Sequence, residues 1–223
     1  MRPLYFFIAL MCGLQFSYAS SLPTVPDIDE CQWNDGEPGY CMMTETQGFS
    51  SGGIKVSFFA RIAKDDFDNR NEILDRYFDF EAWPDYAEGS EYPMFKISEP
   101  LEDLFETRGD LQVLIKRHHV KYISDAPFPL TDQTIHEVSH YEEIAPWDGA
   151  FVSWKFYLDE SFPELEGIKK KSGTLHAREG EEFYHVYILF EVIPGIDVLP
   201  SLAAPYVRQS VEAIFKGMFN FVE

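Results

Sequence analysis

The stretch from Pro194 to Glu223 constrains the fold more than any other. Leu199, Leu202, Ala203, Tyr206, Val207, Val211, Ile214, Phe215, Met218, Phe219 and Val222 recur at three- and four-residue steps. That spacing places them on one wide face of a helix. Arg208, Gln209, Glu212, Lys216 and Asn220 fall on the other face. Pro205 suits a first helical turn, so the pattern predicts a long helix from there, after a shorter turn at 200–204. So wide an apolar face needs a cover, and nearly all of 50–193 reads as strand. The expected arrangement is a single terminal helix lying across a sheet.

From Gly53 the apolar residues Ile54, Val56, Phe58, Ala60 and Ile62 show the period-two pattern of a half-buried strand. Asp65-Asp66 supplies a helix start, Ile73, Leu74, Tyr77 and Phe78 fall at helical spacing, and Pro84 forces a break. One or two short helices are therefore expected between 66 and 88. Strand patterns follow at Met94–Glu99, Leu111–Ile123, Gln133–Ile144, Phe151–Leu158, Gly173–Arg178 and Phe183–Val192, with turn signals such as Asp148-Gly149 and Glu179-Gly180 between them. Seven strands with short links imply an antiparallel meander. One helix about 10 Å across cannot fill the concave side of such a sheet, so a hollow is expected between them.

Arg2, the apolar run Leu4 to Leu14 and the small-residue site at Ser17-Tyr18-Ala19 give residues 1–20 the pattern of a signal peptide. The run is too short for a permanent membrane span. Leu10-Met11 before Cys12 lacks the small residues of a lipid-attachment site. Residues 21–50 read as a loop-rich leader with little regular structure, and 51–223 as the folded domain. Export leaves Cys31 and Cys41, ten apart, which most simply form a disulfide in an oxidising compartment; two free thiols are the other reading. The net charge of -20 repels phosphates and anionic headgroups. Nucleic acid is excluded as a partner on that ground, and stable membrane insertion is not expected once the signal is removed.

The segment Ile73 to Tyr86, with Asp79-Phe80-Glu81-Ala82-Trp83-Pro84-Asp85-Tyr86 at its centre, resembles a signature of START/polyketide-cyclase-like proteins, the SRPBCC or Bet v 1-like helix-grip superfamily. His119-Val120-Lys121-Tyr122 followed by Ala126-Pro127-Phe128-Pro129-Leu130-Thr131-Asp132 resembles their strand and turn. Ser153-Trp154, Gly173 and Ile193-Pro194-Gly195 to Leu199-Pro200-Ser201-Leu202 fit the same order, over about 170 residues. Members commonly carry Arg after the turn Asp, whereas this chain has Gln133. The resemblance implies an α+β helix-grip fold: a curved seven-stranded antiparallel sheet around the long C-terminal helix, with two short helices after the first strand. It also implies a deep cavity for a lipid or other apolar small molecule. Some relatives are cyclases or hydratases and many only bind or carry, a choice that fold alone does not make.

His136-Glu137-Val138-Ser139-His140 spells H-E-x-x-H, with Glu160 and Glu164 downstream. On a helix the two His would share a face and bind Zn²⁺, the arrangement of a zinc protease. Thr134, Ile135, Val138 and Tyr141 favour a strand instead, where the two His stand about 13 Å apart along one face, too far for one ion. His176 and His185 become cross-strand neighbours if 179–182 is a tight loop. Parity turns Phe58 of the first strand and Trp154 and Phe156 of the fifth toward the core or the hollow. On the helix Tyr206, Ser210 and Ile214 share a stripe. Ser210, polar among apolar neighbours, either returns its hydroxyl to a helix carbonyl or meets a polar group of a ligand.

The expected ligand-binding set is Phe58, His119, Trp154, Phe156, Tyr187, Tyr206, Ser210 and Ile214. No catalytic residue, metal ligand or cofactor is assigned, and no oligomeric state. The expected function is an exported, non-catalytic binder or carrier of an apolar small molecule. A cyclase or hydratase using a cavity His is the alternative, and the zinc protease stands behind both.

Overall fold

The structure is a computed structural model that describes residue 31 and residues 37–47, 52–147 and 149–221. The signal-like run at 1–20, most of the 21–50 leader and Val222 lie outside the described residues. Strands β1 (Gly39–Thr46) and β2 (Ile54–Ala63) come first. A 3₁₀ turn at Lys64–Asp66, helix α1 (Glu72–Phe78), a second 3₁₀ turn at Phe80–Ala82 and helix α2 (Trp83–Tyr86) follow. Then come β3 (Met94–Arg108), β4 (Leu111–Ser124), β5 (Gln133–Ile144), β6 (Ala150–Leu158), β7 (Ile168–Glu179) and β8 (Phe183–Pro194). Helix α3 (Pro200–Met218) ends the order.

The strands form one curved antiparallel sheet in the order β1-β2-β8-β7-β6-β5-β4-β3. Among the described residues it has eight strands, not the seven expected. The extra one is β1, in the part of the leader expected to be irregular. Only Tyr40 and Met42 of that short strand pack inward, so its alternation is brief and is flanked by Gly and Pro. β1 also carries Cys41, whose disulfide to Cys31 has a Cα–Cα distance of 5.7 Å.

Helix α3 begins at Pro200, not at Pro205. Leu199 is extended and its carbonyl accepts the Leu202 and Ala203 N–H groups. Pro205 sits inside the helix, where its missing N–H would have met the carbonyl of exposed Ser201. That carbonyl can bond to water, so the break a buried Pro would cause does not occur.

The C-terminal half of α3 is locked to the inner face of the sheet. The Phe58 ring lies 5.0 Å from Phe215 and 6.3 Å from Phe219, and Tyr40 lies 5.3 Å from Phe221. The Tyr40 hydroxyl donates to Glu212 at 2.5 Å. Gly217 lets α2 approach: a Cβ there would stand 1.9 Å from the Tyr86 carbonyl oxygen. Aromatic side chains from α1 and α2 fill one end of the concavity. Tyr77 packs on Trp83 and Tyr141, and Phe78 on Trp154 at 4.6 Å. Phe58 is fully buried where helix and sheet meet. Truncating a buried Phe of this kind costs about 3–5 kcal/mol. Phe58→Ala is expected to lose that much in urea unfolding, against under about 0.5 kcal/mol for the exposed control Phe128→Ala.

Candidate functional site

Toward the N-terminal half of α3 the aromatic filling stops and a cavity of about 130 Å³ remains. Its sheet wall comes from β4, β5, β7 and β8 with Phe95 of β3 and Phe156 of β6, its helix wall from Val207, Ser210, Val211, Ile214 and Phe215. Tyr77 and Trp83 close one end. Alternation decides which side chains enter. Val120, Tyr122 and Ser124 of β4 point in, as do Ile135, Glu137 and Tyr141 of β5, and Ile188, Phe190 and Val192 of β8. Gly167, with a φ of +74°, turns the chain into β7 beside the cavity; a Cβ there would stand 2.1 Å from the Thr134 carbonyl oxygen.

The lining is mainly apolar with a few convergent polar groups. Glu137 is 1% exposed. The Lys171 ammonium and the Ser139 hydroxyl both donate to its Oε1. Its Oε2 is buried and has no hydrogen-bond partner among the described residues. The phenols of Tyr122 and Tyr141 are pushed up by burial, with the Glu137 carboxylate adding to the effect, so both stay protonated donors. The Ser210 hydroxyl stands 3.2 Å from that of Ser124, so it faces the sheet across the cavity instead of bonding back into its helix.

Of the expected ligand-binding set, Phe156, Ser210 and Ile214 line the cavity. Phe58 and Trp154 face the same side but lie in the filled core. Tyr206 is half-buried beside the lining stripe, which runs through Val207 and Val211. Tyr187 and His119 are on the outer face. Tyr187 packs on Phe59 at 5.5 Å, and His119 meets His136 through their Nε2 atoms at 2.9 Å. The strand holding Tyr187 is apolar on both parities, which hides its inward side in the sequence. Glu137, Lys171, Tyr122 and Tyr141 were missed. The signal for Glu137 was present: a carboxylate sharing the inward parity of Ile135 and Tyr141.

The H-E-x-x-H segment lies on strand β5 as expected. Its Glu enters the cavity while both His point outward. His136 meets His119, whereas His140 Nε2 lies 3.5 Å from Asp159 Oδ2. His176 and His185 share the outer face, but their direct partners across the β7–β8 pair are Tyr187 and Arg178. Among the described residues, none of the lining side chains is a histidine. His118 faces inward yet is sealed off. It stacks on Phe80 at 4.1 Å with its Nε2 2.9 Å from Ser98 Oγ, and burial holds its pKa well below the usual imidazole range.

No protein-family model and no curated protein matches the chain. Among solved structures it is similar to a fragment of a STAR-related lipid transfer protein from Xanthomonas axonopodis, with a TM-score of 0.52 at 14% identity, covering 81% of this chain and 97% of that one. It is also similar to human STARD10, with a TM-score of 0.46 at 11% identity over 89% and 82% of the two chains. A third is truncated norcoclaurine synthase from Thalictrum flavum, with a TM-score of 0.35 at 11% identity over 85% and 97%. The first of these carries the assignment of the START-like helix-grip fold.

Removing one partner of a buried ion pair costs about 3–5 kcal/mol, whereas replacing both by apolar groups is often neutral. Lys171→Met is therefore expected to be strongly destabilising in urea unfolding, and Glu137→Leu/Lys171→Met to recover most of the loss. Neutral, buried His118 sets a second expectation. Its lowered pKa means that the unfolded chain takes up a proton below about pH 6.5 while the folded chain does not, so stability falls with falling pH there. His118→Gln is expected to flatten that slope by up to about 1.4 kcal/mol per pH unit, the one-proton limit, read by unfolding at each pH.

Proposed function

We propose that this START-like helix-grip protein is an exported binder or carrier of an apolar small molecule that presents one neutral hydrogen-bond donor to Glu137. The observation that carries this reading is the combination of an apolar cavity with a buried carboxylate oxygen that lacks a partner. Lys171 is already neutralised by the other oxygen of the same carboxylate. A ligand carboxylate would add a second buried negative charge beside Glu137, whereas a hydroxyl would satisfy Oε2 without adding charge. Phe156, Ser210 and Ile214 contact the apolar part of the ligand. A cavity of about 150 Å³ holds a molecule the size of benzene. The present cavity therefore accepts a ring or a short chain as it stands, and a longer molecule requires α3 to shift outward.

Export is supported by the signal-like pattern of residues 1–20 and by the Cys31–Cys41 disulfide, which suits an oxidising compartment. Among the described residues no helix is long and apolar enough to cross a membrane.

Mass spectrometry of small molecules extracted from the purified protein tests the reading directly. Neutral alcohol-bearing apolar molecules are expected, and a medium-chain alcohol should bind at least tenfold more tightly than the matching carboxylate. Ser210→Trp is expected to abolish that binding while changing the melting temperature by only a few degrees, because it fills empty space. Overpacking a solid core instead costs about 1–3 kcal/mol. Tyr206→Trp, beside the stripe, should leave binding unchanged. A large stability loss in Ser210→Trp, together with no apolar ligand in the parent, would sink the carrier reading.

A further inference from the structure

The outer face of the sheet holds a second cluster that the cavity does not use. His119 of β4 and His136 of β5 are diagonal neighbours, because His119 is paired with Val138 and Lys121 with His136. Their Nε2 atoms are 2.9 Å apart. Each Nδ1 faces a carboxylate: Glu99 Oε1 stands 2.9 Å from that of His119, and Glu164 Oε2 stands 3.6 Å from that of His136. Phe162 covers both rings, with centroids 5.6 and 5.0 Å away. The backbone of His136 is fixed by paired hydrogen bonds with Glu166. The His136 side chain is 4% exposed and that of His119 17%, which leaves access from the His119 side.

We propose that His119 and His136 form a binding site for a divalent transition-metal ion of the Zn²⁺ class on the outer face of the sheet. Two imidazoles whose Nε2 atoms converge, each with its Nδ1 turned to a carboxylate, have the outer-shell arrangement that orients metal-binding His. The protons balance without outside help. His119 keeps its Nδ1–H on Glu99, so the contact between the two rings needs Nε2–H from His136. On binding, that proton moves to Nδ1 of His136, opposite Glu164, and both Nε2 lone pairs go to the ion. Nitrogens bound at about 2.0–2.1 Å to a tetrahedral ion are about 3.3 Å apart, so the rings must part by a few tenths of an ångström and turn, because each Nε2 now points at the other ring.

The local charge favours a cation: Glu99, Glu164 and Glu166 surround the pair, against the single ammonium of Lys121. Among the described residues no three His, Cys, Asp or Glu side chains converge on one ion, so water completes the coordination. Reading along a single strand assigned no metal here, because the pair forms across two strands and takes only one His of the H-E-x-x-H segment.

Equilibrium dialysis of the full chain, purified without a polyhistidine tag, against Zn²⁺ tests the site. One equivalent is expected to bind, at least tenfold more weakly in His119→Ala or His136→Ala and unchanged in His140→Ala. His136 is buried, and its variant could simply misfold. His119→Gln and long-range ¹⁵N–¹H spectra of the parent keep the proposal falsifiable. Zinc should shift the Nε2 resonances of His119 and His136 and leave both rings protonated at Nδ1. Undiminished zinc binding in His119→Ala and His119→Gln, or imidazole resonances that zinc leaves in place, would overturn it and leave a pair that shares only a proton.

Discussion

The seating of Phe215 and Phe219 on Phe58 is the contact on which the rest of the structure depends. It fixes the C-terminal half of α3 to β2, and Gly217 then allows the Tyr86 carbonyl of α2 to close against the same stretch. Side-chain size changes along the helix. The inner side is aromatic at Phe215 and at Phe219 just past the helix, whereas the turns before them offer Ala203, Val207, Ser210 and Val211. A helix held at one end by rings cannot drop onto the sheet at the other end, where its side chains are short. The hollow is therefore a consequence of the volume gradient along one helix, set against a sheet that curves away from it.

Strand β5 shows how one alternation yields two chemistries. Its inward side chains bring Glu137 and Tyr141 to the cavity, and its outward ones bring His136 to His119. A helix over the same residues would have put both His of the H-E-x-x-H segment on one side and Glu137 between them. The strand separates acid from imidazole by the thickness of the sheet. It also removes His140 from His136 and leaves it near Asp159.

Much of the fold was legible because its signals are long and regular. The period-two runs of β2, β4, β5, β6 and β8 and the helical stripe of α3 each repeat several times, so local exceptions do not mask them. The resemblance of the Ile73–Tyr86 and Ala126–Asp132 segments added their order. β1 was not legible, because two inward residues in a Gly- and Pro-flanked stretch are too few to show a period. The helix start was misread because Pro200 and Pro205 both satisfy the rule for a first turn, and only exposure of Ser201 lets the second lie inside. The cavity was half legible. Phe156, Ser210 and Ile214 follow from parity on strands and helix with a polar face opposite. Tyr187 and His119 do not, because their strands carry large side chains on both faces. Nor could sequence separate a lining residue from a core one: Phe58, Trp154 and Phe156 share an inner face, and only Phe156 borders empty space.

The unpartnered oxygen of Glu137 is informative because of what it costs. A buried acceptor left without a hydrogen bond is unfavourable by about 1–3 kcal/mol, set against a net stability of about 5–15 kcal/mol for a domain. Lys171 and Ser139 both serve Oε1, so the local polar groups do not remove the deficit at Oε2. The Tyr122 and Tyr141 phenols are the nearest other donors of the lining, and neither is hydrogen-bonded to Oε2. A donor arriving with a ligand would recover that energy on binding, in addition to roughly 25 cal/mol for each Å² of apolar surface taken from water. On the proposed reading, a ligand that is apolar over most of its surface and carries a donor at one end would satisfy this oxygen as it fills the cavity.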